Sequence, residues 1–474
     1  MHIVKSAIII LEVLLLFNLI IFVHELGHFL AARWRGLKVE RFAVWFGTPI
    51  WKTKINGVEY ALGCIPAGGY VSLPQMAPME MIEGRTEANA APLPNISALD
   101  KIIVAIAGPL FSFLLAISFA VIVWIAGKPA GATDNSTVVG WAEKTGPAYL
   151  AGIRPGDQII SIDDKPVNQF SPPSPESITW RIVSSEGSDI KITFLRDKVE
   201  HVVHVVPVKA HTEWYERKSL RKVMIGPVQP AIVGEVASNS PAAVAGLQTN
   251  DEIIALNGEK IYSVAAVLSE EESMTNGPIR PLDLTIKRGS ETFDKIVTPE
   301  KPLKPAGTGP IMGISWLVGS TNETLIHPGP WEQIQSSADQ IFSTIGVVFS
   351  RKTDIGVQQL GGAVMIIRLY SNLFDNENGW RLVLWFSVVL NVNLALLNML
   401  PFPVLDGGHI TLALIEVVSR RPVSARLLNL IQSACAMLLI AFMLFIAFFD
   451  AGDWFRSAHK DREMNAPLEF APKK

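Results

Sequence analysis

Five consecutive residues, His24-Glu25-Leu26-Gly27-His28, carry the pattern H-E-x-x-H inside an apolar run over 14–30. On a helix, positions four apart share a face, so His24 and His28 can hold one Zn²⁺ through neutral imidazoles. Glu25 then sits beside the metal, placed to take a proton from water. Ionisable groups in a membrane-length apolar segment are costly unless they line a polar site, which makes these three functional candidates. Two histidines leave a catalytic zinc site one protein ligand short. The best partner is Asp406, in Asn398-Met399-Leu400-Pro401-Phe402-Pro403-Val404-Leu405-Asp406-Gly407-Gly408-His409. A carboxylate in that apolar setting needs a cation, and the two glycines let the backbone turn it inward. The bland alternative for Asp406 is a helix cap. His409 is a rival ligand, but its place after the turn gives it a supporting or structural role.

These residues must be positioned by membrane-length elements. Four segments have the length and apolarity of a spanning helix, over about 8–31, 102–126, 382–400 and 427–449. A shorter stretch, 341–349, is amphipathic and suits an interface. The apolar run at the N-terminus extends past a signal-peptide core without a small-residue cleavage site, and is read as a retained span. Lys and Arg cluster after the first span (Arg33, Arg35, Lys38, Arg41, Lys52, Lys54), before the second (Lys101), and between the last two (Arg420, Arg421, Arg426). Both loops are therefore expected in the cytoplasm, with both termini and the long segment 127–380 outside.

Composition agrees. Of 474 residues, 49% are hydrophobic and 18% charged, a balance for a membrane protein with a sizeable soluble part. A net charge of −3 supplies no bulk basic field, so nucleic acid is not an expected partner. Cys64 and Cys435 lie far apart and are read as free thiols rather than a disulfide framework.

Between the first two spans, 38–73 is too apolar for an ordinary loop. Strand-like composition at 58–65 and 70–73, with a turn between, predicts a hairpin. At membrane depth such a hairpin must be covered or line a cavity. It is either a membrane-surface hairpin or an edge strand beside the metal, able to receive an extended peptide through Gly68, Gly69, Tyr70 and Val71. Residues 77–95, polar and Pro-containing, read as a mobile loop. Asn391, Asn393 and Asn398 are three amides in one apolar helix. They either bond between helices or bind the backbone of an unwound substrate.

The long segment contains a repeat. The stretch 146–163, beginning Gly146-Pro147-Ala148-Tyr149-Leu150-Ala151-Gly152 and ending at Asp163, is matched by 240–258, beginning Ser240-Pro241-Ala242-Ala243-Val244-Ala245-Gly246 and ending at Gly258, each reading as a short helix, a Gly stop, a turn and an alternating strand. The pattern resembles a circularly permuted PDZ domain, a module that binds peptides by strand addition; the alternative is a spacer or lid without ligand. Residues 300–310 read as a linker back toward the membrane.

Taken together, H-E-x-x-H in the first span, N-x-x-P-x-P-x-L-D-G at the end of the third, four spans and the tandem modules resemble the site-2 protease family of intramembrane zinc metalloproteases, over nearly the whole chain. The resemblance implies His24, His28 and Asp406 as Zn²⁺ ligands and Glu25 as the catalytic base. It implies Asn393 and Asn398 as substrate-contacting amides and 65–73 as a membrane-associated β-hairpin. Ala107-Gly108-Pro109-Leu110-Phe111-Ser112-Phe113 is similar to the family's A-G-P-x-x-N-F element, with Ser112 where Asn is usual.

The implied architecture is a four-span helical membrane protein with a membrane-associated β-hairpin or sheet and two tandem external PDZ domains. Its parts are 1–126, the modules 127–220 and 221–305, a membrane-proximal region 306–380, the last two spans over 381–450, and a tail 451–474. The implied activity is cleavage of single-span membrane proteins within the bilayer, in envelope stress signalling. Substrates would be an anti-sigma factor after a first external cut, and remnant signal peptides. The implied location is a bacterial inner membrane, with the modules and both termini periplasmic and the active site near the cytoplasmic side. Two rivals are a membrane-anchored scaffold with a vestigial metal site and a zinc enzyme acting on lipid. The four chemical residues argue against the first and the peptide-binding repeat against the second.

Overall fold

Helix α1 (His2–Trp34) is uninterrupted because no Gly breaks its apolar run before residue 27, and no Pro occurs in it. It stops at Gly36, whose φ of +75° lets Leu37 N–H bond back to Ala32 O at 2.9 Å. The structure, a computed structural model, describes residues 2–76, 96–131, 136–172, 174–317, 324–374, 378–419, 425–464 and 467–472. The segment 77–95 and the basic pair Arg420 and Arg421 lie outside the described residues. The chain divides into two compact units, Met1–Lys128 with Ile326–Ile341 and Gly361–Phe448, and Pro129–Leu325 with Phe342–Leu360 and Phe449–Lys474.

In the first unit, α1 is followed by strands β1 (Arg41–Phe46), β2 (Trp51–Ile55), β3 (Val58–Leu62) and β4 (Ile65–Ser72). They form one sheet of order β2-β3-β1-β4. This corrects the expected hairpin: β3 and β4 are not neighbours. β3 pairs with β2 across the Asn56-Gly57 turn and runs parallel to β1, while β4 lies antiparallel to β1 at the sheet's edge. Helix α2 (Ala98–Ala126) opens on a capping box between Ser97 and Asp100.

The second unit holds two copies of one strand–helix plan. In the first copy the elements are β5 (Val139–Ala142), α3 (Pro147–Leu150), β6 (Gln158–Ile162), β7 (Lys165–Pro166), α4 (Ile178–Ser184), β8 (Ile190–Arg196), β9 (Val199–Val205) and β10 (Ile225–Pro227). The second has β11 (Ala231–Val236), α5 (Pro241–Ala245), β12 (Glu252–Leu256), β13 (Glu259–Lys260), α6 (Val264–Ser273), β14 (Leu282–Arg288), β15 (Glu291–Val297) and β16 (Ile314–Trp316). Each copy ends by returning a short strand to its first one, β10 to β5 and β16 to β11. The copies thus close later than the boundaries at 220 and 305, and 300–310 is a loop within the second copy rather than a linker.

Each copy has its own apolar core, around Ile159, Ile178 and Ile192 in one and Val233, Leu284 and Ile286 in the other, all fully buried. The repeat extends to single bonds. Asp157 accepts from Arg154 N–H and from Arg196, which also reaches Gly152 O; Asp251 accepts from Gln248 N–H and from Arg288, which reaches Gly246 O.

The chain then forms α7 (Pro330–Phe349), which extends the amphipathic stretch 341–349 backward, then α8 (Ala363–Phe374), α9 (Gly379–Asn398), α10 (Asp406–Ser419) and α11 (Ala425–Met464). The last helix carries 451–464, where the sequence alone predicts a tail. Among the described residues four helical stretches are long and apolar enough to cross a membrane: Ile8–Trp34, Ala98–Ala126, Gly379–Asn398 and Leu430–Ala458.

Candidate metal centre

Two helices approach closely where the H-E-x-x-H residues lie. A Cβ on Gly27 of α1 would collide with Ala107 O of α2, and one on Gly108 of α2 would collide with the His28 ring. Glycine at both positions lets the helices come together and leaves room for the imidazole. α2 then fixes both rings. His28 Nδ1 lies 2.8 Å from Val104 O, an acceptor only, so Nδ1 carries the proton and donates it. His24 Nδ1 is 3.0 Å from the hydroxyl of Ser112, which is fully buried. With Nδ1 protonated, each Nε2 presents a lone pair, and the two Nε2 atoms face each other at 3.3 Å.

Asp406 arrives from the other end of the chain. α9 stops at Asn398, Pro401 and Pro403 prevent its continuation, and α10 starts at Asp406 itself. Glycine is required after it, since a Cβ on Gly407 would strike Met399 O and Leu400 O, and one on Gly408 would strike Phe402 O. The turn delivers Asp406 Oδ2 to 3.3 Å from His24 Nε2 and Oδ1 to 3.3 Å from His28 Nε2. Among the described residues these three form a group whose ligand atoms all lie within 4.8 Å of one another. Asp406 Oδ2 is buried without a hydrogen bond. Three converging lone-pair donors, with both rings fixed from behind, repel one another unless a cation sits among them. Two imidazoles and one carboxylate suit Zn²⁺, with a position left open.

The group opens into a cavity of about 330 Å³. Glu25, Gly68, Gly69, Tyr70, Val71, Asn398 and His409 line it with the three ligand candidates. The β4 edge therefore stands beside the carboxylates, and a Cβ on Gly69 would lie 3.5 Å from Glu25 Cγ. The Tyr70 side chain is engaged in the sheet, its hydroxyl accepting from Arg41 at 3.1 Å and its ring stacked on Phe46. Backbone is thus what the strand offers the cavity.

Asn398 Nδ2 is 3.5 Å from His24 Nε2, whereas Asn393 is not part of the cavity wall. Asn391 is fully buried and donates to Ser387 O within its own helix. His409 is buried, with Nε2 unbonded, and stays outside the three-residue group. The sequence reading carried no role for Val104 O, and none for Gly27. A main-chain acceptor leaves no mark in residue type, but the small residues Gly27, Ala107 and Gly108 in two adjacent spans are a legible signal of close approach.

The model of peptidase family M50 matches residues 12–442. A putative zinc metalloprotease of Pasteurella multocida is 28% identical over 455 residues, covering 92% of this chain and 97% of that one. The regulator of sigma E protease of Haemophilus influenzae is 28% identical, covering 90% and 95%. The protease RseP of Yersinia pestis is 27% identical, covering 91% and 96%.

Proposed function

The chain belongs to peptidase family M50, the site-2 protease family of zinc metalloproteases, and from that premise we propose that it cleaves single-span membrane proteins within their membrane segment. The observation that carries this reading is the convergence of His24 and His28 from α1 and Asp406 from α10 on a cavity shared with Glu25 and the β4 edge. His24, His28 and Asp406 hold Zn²⁺. When bound, the ion supplies Lewis acidity, which polarises a carbonyl and acidifies water. Glu25 accepts the proton of the attacking water and returns it to the departing amine. Ser112 and the Val104 carbonyl hold the two imidazoles in orientation.

A helical substrate hides its scissile amide in its own hydrogen-bond ladder, so it must unwind before attack. An unwound segment at membrane depth needs replacement partners for its backbone. The main chain of Gly68, Gly69, Tyr70 and Val71 offers strand pairing, and the Asn398 amide offers one further donor and acceptor. Asn393 serves helix packing in this account, because it stands apart from the cavity.

The two repeated modules are peptide-binding PDZ domains facing the periplasm, and the two basic loops face the cytoplasm of an inner membrane. Relatives carry the name regulator of sigma E protease, so the natural substrate is read as an anti-sigma factor already trimmed outside the membrane. Remnant signal peptides are a second substrate of the same shape. The test uses purified protein with a single-span peptide in detergent or liposomes. A chelator should stop cleavage and one equivalent of zinc should restore it. Cleavage that persists in a zinc-free preparation would refute the reading.

A further inference from the structure

The repeated modules differ at one buried position, beside the turn that enters each closing strand. Their backbone bonds align these turns residue by residue. Ala148 N–H donates to Val223 O at 3.2 Å, and Ala242 N–H to Met312 O at 3.0 Å. Lys222 N–H donates to Val208 O, and Ile311 N–H to Glu300 O. Val223 is therefore the counterpart of Met312. The next residues, Met224 and Gly313, both have positive φ, 62° and 79°. A left-handed residue in such a turn aims successive N–H groups to one side, the geometry of an anion-binding nest.

The helices beside the two turns also align. α4 starts from the capping side chain of Ser177 and α6 from that of Ser263. Eight residues after the cap stands Ser185 in the first module and Glu271 in the second. Glu271 is 7% exposed, and its Oε1 accepts from Met312 N–H at 2.7 Å. Ser185 is 5% exposed and its Oγ has no hydrogen-bond partner. Among the described residues no protein acceptor lies on Val223 N–H. On its other side the second turn is covered by the chain's own tail. Glu469 pairs with Leu303 and Lys304 through the main chain, and Phe470 is buried against Gly313.

We propose that Glu271 is a built-in carboxyl cap: its Oε1 fills the backbone nest of the second module, so that only the first module is open to the carboxyl end of a peptide. The proposal rests on reading the modules as peptide binders. A peptide's terminal carboxylate and the Glu271 side chain present the same acceptor to the same amide, and cannot both hold it. Ser185 is too short to play that part, and its unbonded hydroxyl is left as a further donor for an incoming carboxylate.

Titration calorimetry on the full-length protein in detergent tests this, with a hexapeptide ending in a free valine carboxylate and its carboxyl-terminal amide as probes. The expected stoichiometry is one for the free acid and zero for the amide. Glu271→Ser should raise it to two, and Ser185→Glu should lower it to zero. Glu271→Gln should leave it at one, because the glutamine carbonyl still accepts from Met312. Hydrogen exchange of the Met312 amide gives an independent readout, expected to be at least tenfold faster in Glu271→Ser and unchanged in Glu271→Gln. Two sites in the unaltered protein, a site surviving Ser185→Glu, or unchanged Met312 exchange in Glu271→Ser would overturn the cap. Absence of binding in all four proteins would defeat the peptide-binding reading itself, while the exchange result still judges the Glu271 contact.

Discussion

Around the three ligand candidates, side chains that touch no substrate should be legible in zinc retention. Ser112 backs His24, and loss of such an outer partner typically costs about 10–100-fold in metal affinity. Ser112→Ala is expected to fall in that range by competition with a chromophoric chelator. Ser112→Asn should retain zinc far better, because its amide oxygen can accept from the same ring nitrogen. Gly108→Val should lose zinc outright, since its Cβ would occupy the His28 ring position. The amides separate by place. Asn398→Ala should slow cleavage about tenfold with zinc retained, the worth of one hydrogen bond in the cavity, while Asn393→Ala should change cleavage much less. Equal losses for the two variants would contradict the placement. The H-E-x-x-H residues and Asp406 were legible in the sequence because their types are improbable in apolar spans. The Val104 carbonyl was not, because main-chain acceptors are the same in every residue.

At the scale of elements, the second module carries two buried carboxyls of opposite pH behaviour. Burial pushes Glu271 from 4.5 up to about 7, and the Met312 N–H opposes it only in part. The folded module therefore holds a proton there that the unfolded chain has released. The stability this gives is full below about 4.5 and is lost as pH rises through about 7, an effect of roughly 3 kcal/mol. For Asp251, burial acts upward but the Arg288 pair and the Gln248 N–H outweigh it, holding the carboxyl below its usual value. Its contribution is present above the ordinary carboxylate range and is lost as pH falls through the lowered value. The melting transition of this module should accordingly drop between pH 5 and pH 8, and Glu271→Gln should flatten that drop. A wild-type transition independent of pH across that window would count against the assignment.

The same element shows what pattern reading misses. Glu271 lies in the run Glu270-Glu271-Glu272, which reads as a solvated helix face. Only the return of Met312 from a distant loop reveals that the middle residue is buried. The closing strands β10 and β16 have three residues each, too few for an alternation to register, so the module boundaries fell short. The sheet beside α1 failed as a hairpin for a related reason: β1 runs parallel to β3, a pairing that strand composition does not encode. Asp157 and Asp251 stand at matching places of the two similar sequence stretches, and each draws an arginine clamp.

Across the whole molecule, each of the two units carries its own packed core, and the first three spans match the apolar segments to within a few residues, whereas the fourth runs to Ala458, nine residues past the expected end at 449. Topology can be read from Cys64, which is exposed in the loop between the first two spans. In a Cys435→Ser background, an impermeant maleimide should label Cys64 in inside-out vesicles and spare it in right-side-out ones. The reverse pattern would invert the proposed orientation.

The central claim is that His24, His28 and Asp406 hold zinc beside Glu25 for cleavage inside a membrane segment. Its most direct measurement pairs zinc content with mass-spectrometric mapping of the scissile bond, on a single-span substrate, for the unaltered protein and Glu25→Gln. The account predicts one zinc per chain in both, a cut within the apolar segment by the unaltered protein, and no cut by Glu25→Gln. Cleavage by Glu25→Gln at the unaltered rate, or a scissile bond outside the membrane segment, would contradict it.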